Sequence, residues 1–247
     1  MNRQEKQVLT DRKFEIENLS DLNHQFEYQS PDDLLLWGAE HFGNTIVLGT
    51  GFGPSGVVLI HKITKLQLPI KIFCLDTNLL FKETYSLWDK IEDRFDIRIE
   101  SVSPILTLEG QAKRHKEELW KTDPDKCCYL RKVLPLQKYL SNKKAWITGL
   151  RRSQSEMRKD VGKIEWDPGN KVYKLNPLAT WTQEEVWEYI EKNDLPYNPL
   201  HDEGYPSIGC IPCTEPSTDQ SERSGRWKNL EKTECGIHLP SLKNKLK

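Results

Sequence analysis

Along this chain, short apolar runs alternate with longer stretches in which apolar residues recur at helical spacing. Ile46, Val47 and Leu48 close on Gly49, and residues 44–49 read as a buried strand. A turn follows over residues 50–56. A helix is predicted over 57–66, with Val57, Val58, Leu59, Ile60 and Ile63 on its buried side. Residues 70–75 predict a second strand, 81–95 a helix and 97–102 a third strand. A helix over 130–140 precedes a fourth strand at 146–149. Further helices are predicted at 31–42 and 182–192. The latter opens on Thr182 with Glu185 placed to form a capping box. Alternation at this spacing predicts βαβ units, hence an α/β fold with a mainly parallel sheet flanked by helices. From about residue 194 the pattern gives way to Pro, Gly and Ser, and an irregular stretch of that length is usually functional or mobile.

The chain has 247 residues, enough for one such domain with a sizeable core. Its 36 Lys and Arg balance 37 Asp and Glu, which argues against nucleic acid as a partner, since polyanion binders carry a basic excess. No apolar run approaches the roughly 20 residues of a membrane span. The opening residues lack the apolar segment of a signal peptide. The expectation is a cytoplasmic protein with no membrane association. Six cysteines are too sparse for a disulfide scaffold, and a reducing compartment leaves them for metal, catalysis or packing.

The turn Thr50-Gly-Phe-Gly-Pro-Ser-Gly56 lets backbone N–H groups approach an anion at a helix N-terminus, where such sheets bind ligands. It lacks the Lys-Ser/Thr pair of a P-loop and the third glycine of a dinucleotide fingerprint, so an ordinary tight turn is the competing reading. Cys127 and Cys128, with Cys210 and Cys213, put thiols on two distant segments. Four thiolates can enclose a tetrahedral metal or an iron–sulfur cluster. Adjacent cysteines strain around one tetrahedral ion, whereas a [4Fe–4S] cube offers each neighbour a different iron. Zinc, a redox dithiol at Cys210 and Cys213, and unliganded buried cysteines stay open as alternatives. Cys74 sits within an apolar strand and reads as core.

Cys235 stands in a polar stretch with Gly236 and His238 beside it and Lys232 nearby, and reads as a nucleophile on a mobile arm. Arg151 and Arg152 follow the fourth strand directly. Arg223 and Arg226 lie between Cys213 and Cys235, and Lys132 lies one helical turn beyond Cys128. This cationic set suits phosphate or sulfate. His41, His61, His115 and His201 show no metal-ligand spacing.

Several segments, in order, carry a family resemblance. They are Leu75-Asp-Thr-Asn-Leu-Leu-Phe-Lys-Glu-Thr-Tyr85, Lys126-Cys-Cys-Tyr-Leu-Arg-Lys132, Gly149-Leu-Arg-Arg-Ser-Gln-Ser155, Asn176-Pro-Leu-Ala-Thr-Trp-Thr182, Pro196-Tyr-Asn-Pro-Leu-His-Asp202, Gly204-Tyr-Pro-Ser-Ile-Gly-Cys-Ile-Pro-Cys-Thr214 and Glu234-Cys-Gly-Ile-His238. Together they resemble the assimilatory adenylyl-sulfate reductases, the iron–sulfur branch of the adenylyl-sulfate and phosphoadenylyl-sulfate reductase family. The resemblance implies an adenine-nucleotide α-hydrolase-like (PP-loop) fold and a [4Fe–4S] cluster on Cys127, Cys128, Cys210 and Cys213. It implies that Cys235 attacks the sulfur of adenylyl sulfate, giving an S-sulfocysteine and AMP, and that reduced thioredoxin or glutaredoxin then releases sulfite. Thr50, Gly51 and Gly53 are expected at the anionic end of the nucleotide. Arg151 or Arg152, with Arg223, Arg226, Lys132 and His238, are expected around phosphate and sulfate.

Two features depart from the family pattern. The glycine turn lacks the usual acidic or glutamine positions, and Asp125 stands where a second basic group is expected. The resemblance divides the chain into an N-terminal helical extension (1–43), a reductase domain (44–216) and a C-terminal segment with the reactive cysteine, mobile without ligand (217–247). No thioredoxin-like sequence follows Cys235, so the reductant is expected to be a separate protein. Phosphoadenylyl sulfate as sole or second substrate is the alternative within the class. An adenylating PP-loop enzyme and a zinc-structured binding module are the alternatives outside it. Whether the protein forms a homo-oligomer is left open.

Overall fold

The computed structural model describes residues 18–219, 221–228, 232 and 234–238. Helix α1 (Leu19–Glu27) is capped by the Asn18 side chain, which accepts from the Ser20 and Asp21 amides. It falls within the stretch expected as an N-terminal helical extension, where the sequence pattern places a separate helix only at 31–42. Helix α2 (Pro31–Phe42) opens with a reciprocal Ser30–Asp33 capping box and Pro31 in its first turn, where a missing N–H costs nothing. Then β1 (Ile46–Thr50), α3 (Pro54–Lys65), β2 (Lys71–Leu75), α4 (Lys82–Phe95) and β3 (Ile99–Val102) alternate as predicted. Short helices α5 (Leu108–Arg114) and α6 (Leu119–Thr122) lead to α7 (Pro124–Cys128), which runs through a π-helical turn (Tyr129–Val133) into α8 (Leu134–Leu140). Strands β4 (Ala145–Ile147), β5 (Ile164–Asp167) and β6 (Val172–Leu175) and helix α9 (Gln183–Lys192) follow. Thr182 and Glu185 form the predicted capping box.

One correction bears on the site. Helix α3 starts at Pro54, not at Val57, because Pro54 occupies its first turn with Gly53 as the cap residue. The glycine turn is therefore shorter than expected, and Ser55 and Gly56 belong to the helix.

Among the described residues the strands form one sheet in the order β3-β2-β1-β4-β6-β5. All neighbours are parallel except β5 and β6, an antiparallel hairpin. The chain builds outward from β1 to β2 and β3, then crosses to β4 on the other side of β1. That reversal opens a crevice at the carboxyl ends of β1 and β4, where open α/β sheets bind ligands. The sheet is covered on both faces, so β1 is apolar from Ile46 to Leu48 rather than alternating. Ile46 and Leu48 pack into the main core with α2, α3, α4 and α9. Val47 packs on the opposite face with Phe73, Trp146, Leu136 and Leu140. At the sheet edge Asn23 of α1 bonds both backbone groups of Ile164, at 3.0 Å to its amide and 2.8 Å to its carbonyl, and so occupies part of an otherwise open strand edge.

Among the described residues no helix is long and apolar enough to cross a membrane.

Candidate active site

A cleft of about 290 Å3 opens at this crevice. Its floor is the glycine turn and the first turn of α3. Thr50 Oγ1 accepts from the Phe52 amide at 3.0 Å, which shapes the turn. Phe52 adopts φ 59 and buries its ring against Trp88, with centroids 5.2 Å apart. A Cβ on Gly56 would stand 2.6 Å from Thr50 Oγ1, so close approach of α3 to β1 requires glycine there. A Cβ on Gly51 or Gly53 would meet nothing within 4 Å, so both backbones face open space. No side chain caps α3, and its first amides are left for a ligand. Thr50, Gly51 and Gly53, expected at the anionic end of a nucleotide, all line the cleft.

The cations come next. Arg151 is buried, with Nε donating to Ser55 Oγ at 3.0 Å and its guanidinium paired with Glu222. Arg223, Arg226 and Lys132 also line the cleft. Arg152 does not. It turns to the N-terminal side and grips Glu27 with two bonds of 2.6 and 2.9 Å. Adjacent residues at the start of a 3-10 turn project apart, so of the two expected arginines only Arg151 reaches the cleft.

Cys235 is brought in by its neighbour. Glu234 is 3 % exposed and is held by Arg158 through bonds of 2.9 and 2.7 Å, with Arg223 at 3.2 Å and Ser155 at 3.3 Å. Ile237 packs against the second core, and His238 stacks on Trp146 with centroids 5.6 Å apart. The polar arm thus borrows a core from the domain. Cys235, expected on a mobile arm, lies buried against Cys128 and Trp227. A hydrogen bond from Cys128 lowers the Cys235 thiol pKa against burial, helped by Lys132, the Ile237 amide and Arg226.

Beside the cleft is a second, small cavity lined by Cys127, Cys128, Cys210 and Cys213. The double cysteine ends α7, and Cys210 and Cys213 bracket a 3-10 turn (Ile211–Cys213). Burial, reinforced by Cys210 and Cys213, pushes the Cys127 thiol up to about 11, and burial raises Cys213 as well. Among the described residues the rest of the wall includes Arg131, Lys132 and Arg226 and no carboxylate. Lys132 and Arg226 line both cavities. Burial opposes the Lys132 charge, but Cys210, Cys235 and Cys128 outweigh it and raise its pKa. Among the described residues no three His, Cys, Asp or Glu side chains converge on one point as a single metal ion requires. Cys74 is core, as expected, and burial drives its thiol up.

Several site residues were not found from sequence. Arg158 and Glu222 pair with partners more than 70 positions away. Trp227 is buried beneath Arg223, Arg226 and Lys232, at 5.4, 4.5 and 5.6 Å. Asp125, the departure near the double cysteine, accepts from Lys232, so the missing basic group is supplied by the C-terminal segment. Glu234 beside Cys235 was the single local signal for this latch.

A nucleotide-sized cleft at the switch point of a parallel sheet, walled by cations around a buried cysteine, defines a protein that works on anionic nucleotides. Residues 45–216 match the phosphoadenosine phosphosulfate reductase domain, and the chain belongs to that family of oxidoreductases. It is 50% identical over 222 residues to the adenosine 5'-phosphosulfate reductase of Salinibacter ruber, covering 89% of this chain and 88% of that one. It is 45% identical over 213 residues to adenosine 5'-phosphosulfate reductase 1 of Bacillus subtilis, covering 85% and 91%. Among solved structures, the phosphoadenylyl-sulfate reductase of Candida auris in its phosphate complex superposes with TM-score 0.72 at 32% identity, covering 81% of this chain and 98% of that one. The FMN adenylyltransferase of Candida glabrata with ATP (TM-score 0.56, 17% identity, 92% of this chain and 81% of that one) shares the fold alone. The expected PP-loop-type fold is borne out.

Proposed function

We propose that this protein reduces adenylyl sulfate to sulfite and AMP in sulfate assimilation, with Cys235 as nucleophile. The carrying observation is Cys235 buried in the cleft wall among Lys132, Arg223 and Arg226, with Glu234 latched beside it. Relatives at 45–50% identity bear the name adenosine 5'-phosphosulfate reductase.

A thiolate approaching a dianionic substrate is repelled unless cations offset the charge. Lys132, Arg151, Arg223 and Arg226 supply that offset, and the free amides of α3 receive the α-phosphate. The Cys235 thiolate attacks the sulfate sulfur, an S–S bond forms, and the sulfur–oxygen bond to phosphate breaks as AMP leaves. A separate dithiol protein of the thioredoxin or glutaredoxin type then attacks Cys235 Sγ. Sulfite leaves with the electron pair, and the second thiol resolves the mixed disulfide. The two electrons come from the dithiol, so the chemistry closes on thiols alone.

Cys127, Cys128, Cys210 and Cys213 would hold a [4Fe–4S] cluster. The donor set fits: four soft sulfurs spread around one cavity, with cations and, among the described residues, no carboxylate in its wall. Trp227 fits too, since it lines that cavity and its buried Nε1 has no hydrogen-bond partner. Bound there, such a cluster supplies a charged centre beside the cleft. Lys132, in the wall between the two, orients the substrate sulfate.

The test is turnover of adenylyl sulfate and phosphoadenylyl sulfate by anaerobically purified protein with reduced thioredoxin, reading sulfite. Sulfite from adenylyl sulfate alone is expected. Sulfite from both makes the phosphate loop permissive, and none from either overturns the reading.

A further inference from the structure

In the cleft, Arg158, Arg223 and Arg226 gather around Glu234 and Trp227, and Arg151 pairs with Glu222. Another part of its wall is uncharged, formed by Leu80, Val186 and Trp187 together with His201. His201 closes a 3-10 turn (Pro199–His201) that is rigidly set. Asn198 caps it, accepting from the Leu200 amide at 3.1 Å and donating to Thr84 Oγ1 at 3.1 Å, and Asn198 is itself fully buried.

The His201 ring has one orientation and one tautomer. Nδ1 lies 2.8 Å from the Tyr205 carbonyl oxygen, which can only accept. Nδ1 therefore carries the proton and Nε2 is a bare acceptor. The ring stands edge-on to Trp187 with centroids 5.3 Å apart. Burial lowers its pKa and keeps the imidazole neutral. Nε2 is buried and has no hydrogen-bond partner. A buried polar atom left unpaired is costly, and in a ligand cleft the ligand is the natural partner.

We infer that His201 Nε2 accepts a hydrogen bond from a neutral donor on the bound nucleotide, either a ribose hydroxyl or the exocyclic amine of adenine. The inference rests on the nucleotide reading proposed above. A neutral acceptor pairs with an O–H or N–H and disfavours a phosphate, which presents only acceptors at neutral pH. Where the donor is the 3'-hydroxyl, His201 selects against a nucleotide phosphorylated at that position.

The test is calorimetric binding of AMP, its 2'-deoxy and 3'-deoxy forms, and inosine monophosphate to the intact protein and two variants. His201→Phe keeps the ring against Trp187 and removes the acceptor. His201→Gln restores an acceptor oxygen and guards against a folding defect. AMP is expected to bind His201→Phe about ten-fold more weakly, with recovery in His201→Gln. One analogue should bind the wild type as weakly as AMP binds His201→Phe, and should lose nothing further in that variant. A deoxy form behaving so assigns the hydroxyl, and inosine monophosphate the amine. Equal AMP binding by wild type and His201→Phe overturns the inference while leaving the nucleotide reading intact. No AMP binding by the wild type overturns the nucleotide reading and this inference with it.

Discussion

Arg158 grips Glu234 through two hydrogen bonds, of 2.9 and 2.7 Å, and the next residue in the chain is Cys235. Both partners are buried, and Arg223 joins them at 3.2 Å. The pair ties the segment that carries Cys235 to the loop that follows Arg151.

Glu234→Gln is expected to release that segment. Removing one partner of a buried ion pair costs about 3–5 kcal/mol, here at the cost of docking rather than of global folding. Turnover should fall more than about a hundred-fold, while nucleotide affinity changes little. Iodoacetamide should alkylate Cys235 faster than in the wild type. Unchanged turnover would remove the latch from the mechanism.

Gly56→Ala places a methyl 2.6 Å from Thr50 Oγ1, where the start of α3 approaches the end of β1. Overpacking of this kind costs about 1–3 kcal/mol. It also displaces the Thr50 hydroxyl from the Phe52 amide. Urea unfolding should report the stability loss and AMP titration a weaker site. Wild-type affinity would mean that the phosphate is held elsewhere.

Lys132→Ala and Cys213→Ser should fail in different ways. Lys132→Ala is expected to keep its iron and lose turnover, because the lysine lies between two cavities and is no iron ligand. Cys213→Ser is expected to lose iron, read by metal analysis and by absorbance near about 400 nm. A Lys132→Ala protein with both its iron and full activity removes the lysine from the mechanism.

The Arg152–Glu27 pair predicts a pH effect on stability. The hydrogen bond from Arg152 holds the Glu27 carboxyl below the usual carboxylate range, against partial burial. A carboxylate depressed in the folded state stabilises above its unfolded pKa of about 4.3, and that stability is lost as pH falls through the folded value. Both side chains are about one-third exposed (32% and 30%), so the contribution stays within about 1 kcal/mol. The melting temperature of Glu27→Gln should lie slightly below that of the wild type at neutral pH and converge with it in acid.

Mobility of the C-terminal segment is tested by hydrogen exchange on the free protein. Amides 221–228 and 234–238 are expected to exchange faster than those of β1 and β4, and to slow with AMP. Protection equal to the sheet would make the segment a fixed part of the domain.

The fold was largely legible because its signals are local. Leu48 and its neighbours announce a doubly covered strand, and Thr182 with Glu185 announces a helix start. The β5–β6 hairpin was missed although Asp167, Gly169 and Asn170 form a turn between its strands. Its runs are four residues each, and the largely buried Lys174, paired with Glu165, breaks the apolar pattern. At the site, Cys127, Cys128, Cys210, Cys213 and Cys235, which line the two cavities, were legible because thiols at set spacing are chemically specific. Arg158 was not, since its partner lies 76 positions away and nothing near it marks the pairing. Arg151 and Arg152 are equivalent in sequence, and only the fold separates them.

The π-helical turn between Cys128 and Leu134 holds one more residue per turn than the helix around it. It works as a phase adjuster: α7 and α8 follow one another without a break, and the extra residue offsets their faces by about 100°, the rotation of one helical residue. Shortening this turn by a single residue would swing the double cysteine round the axis while Leu136 and Leu140 stayed seated in the core. Exchanges of residue type here alter contacts locally, whereas a change of length re-aims the whole thiol pair. The segment is thus fixed in spacing before it is fixed in chemistry.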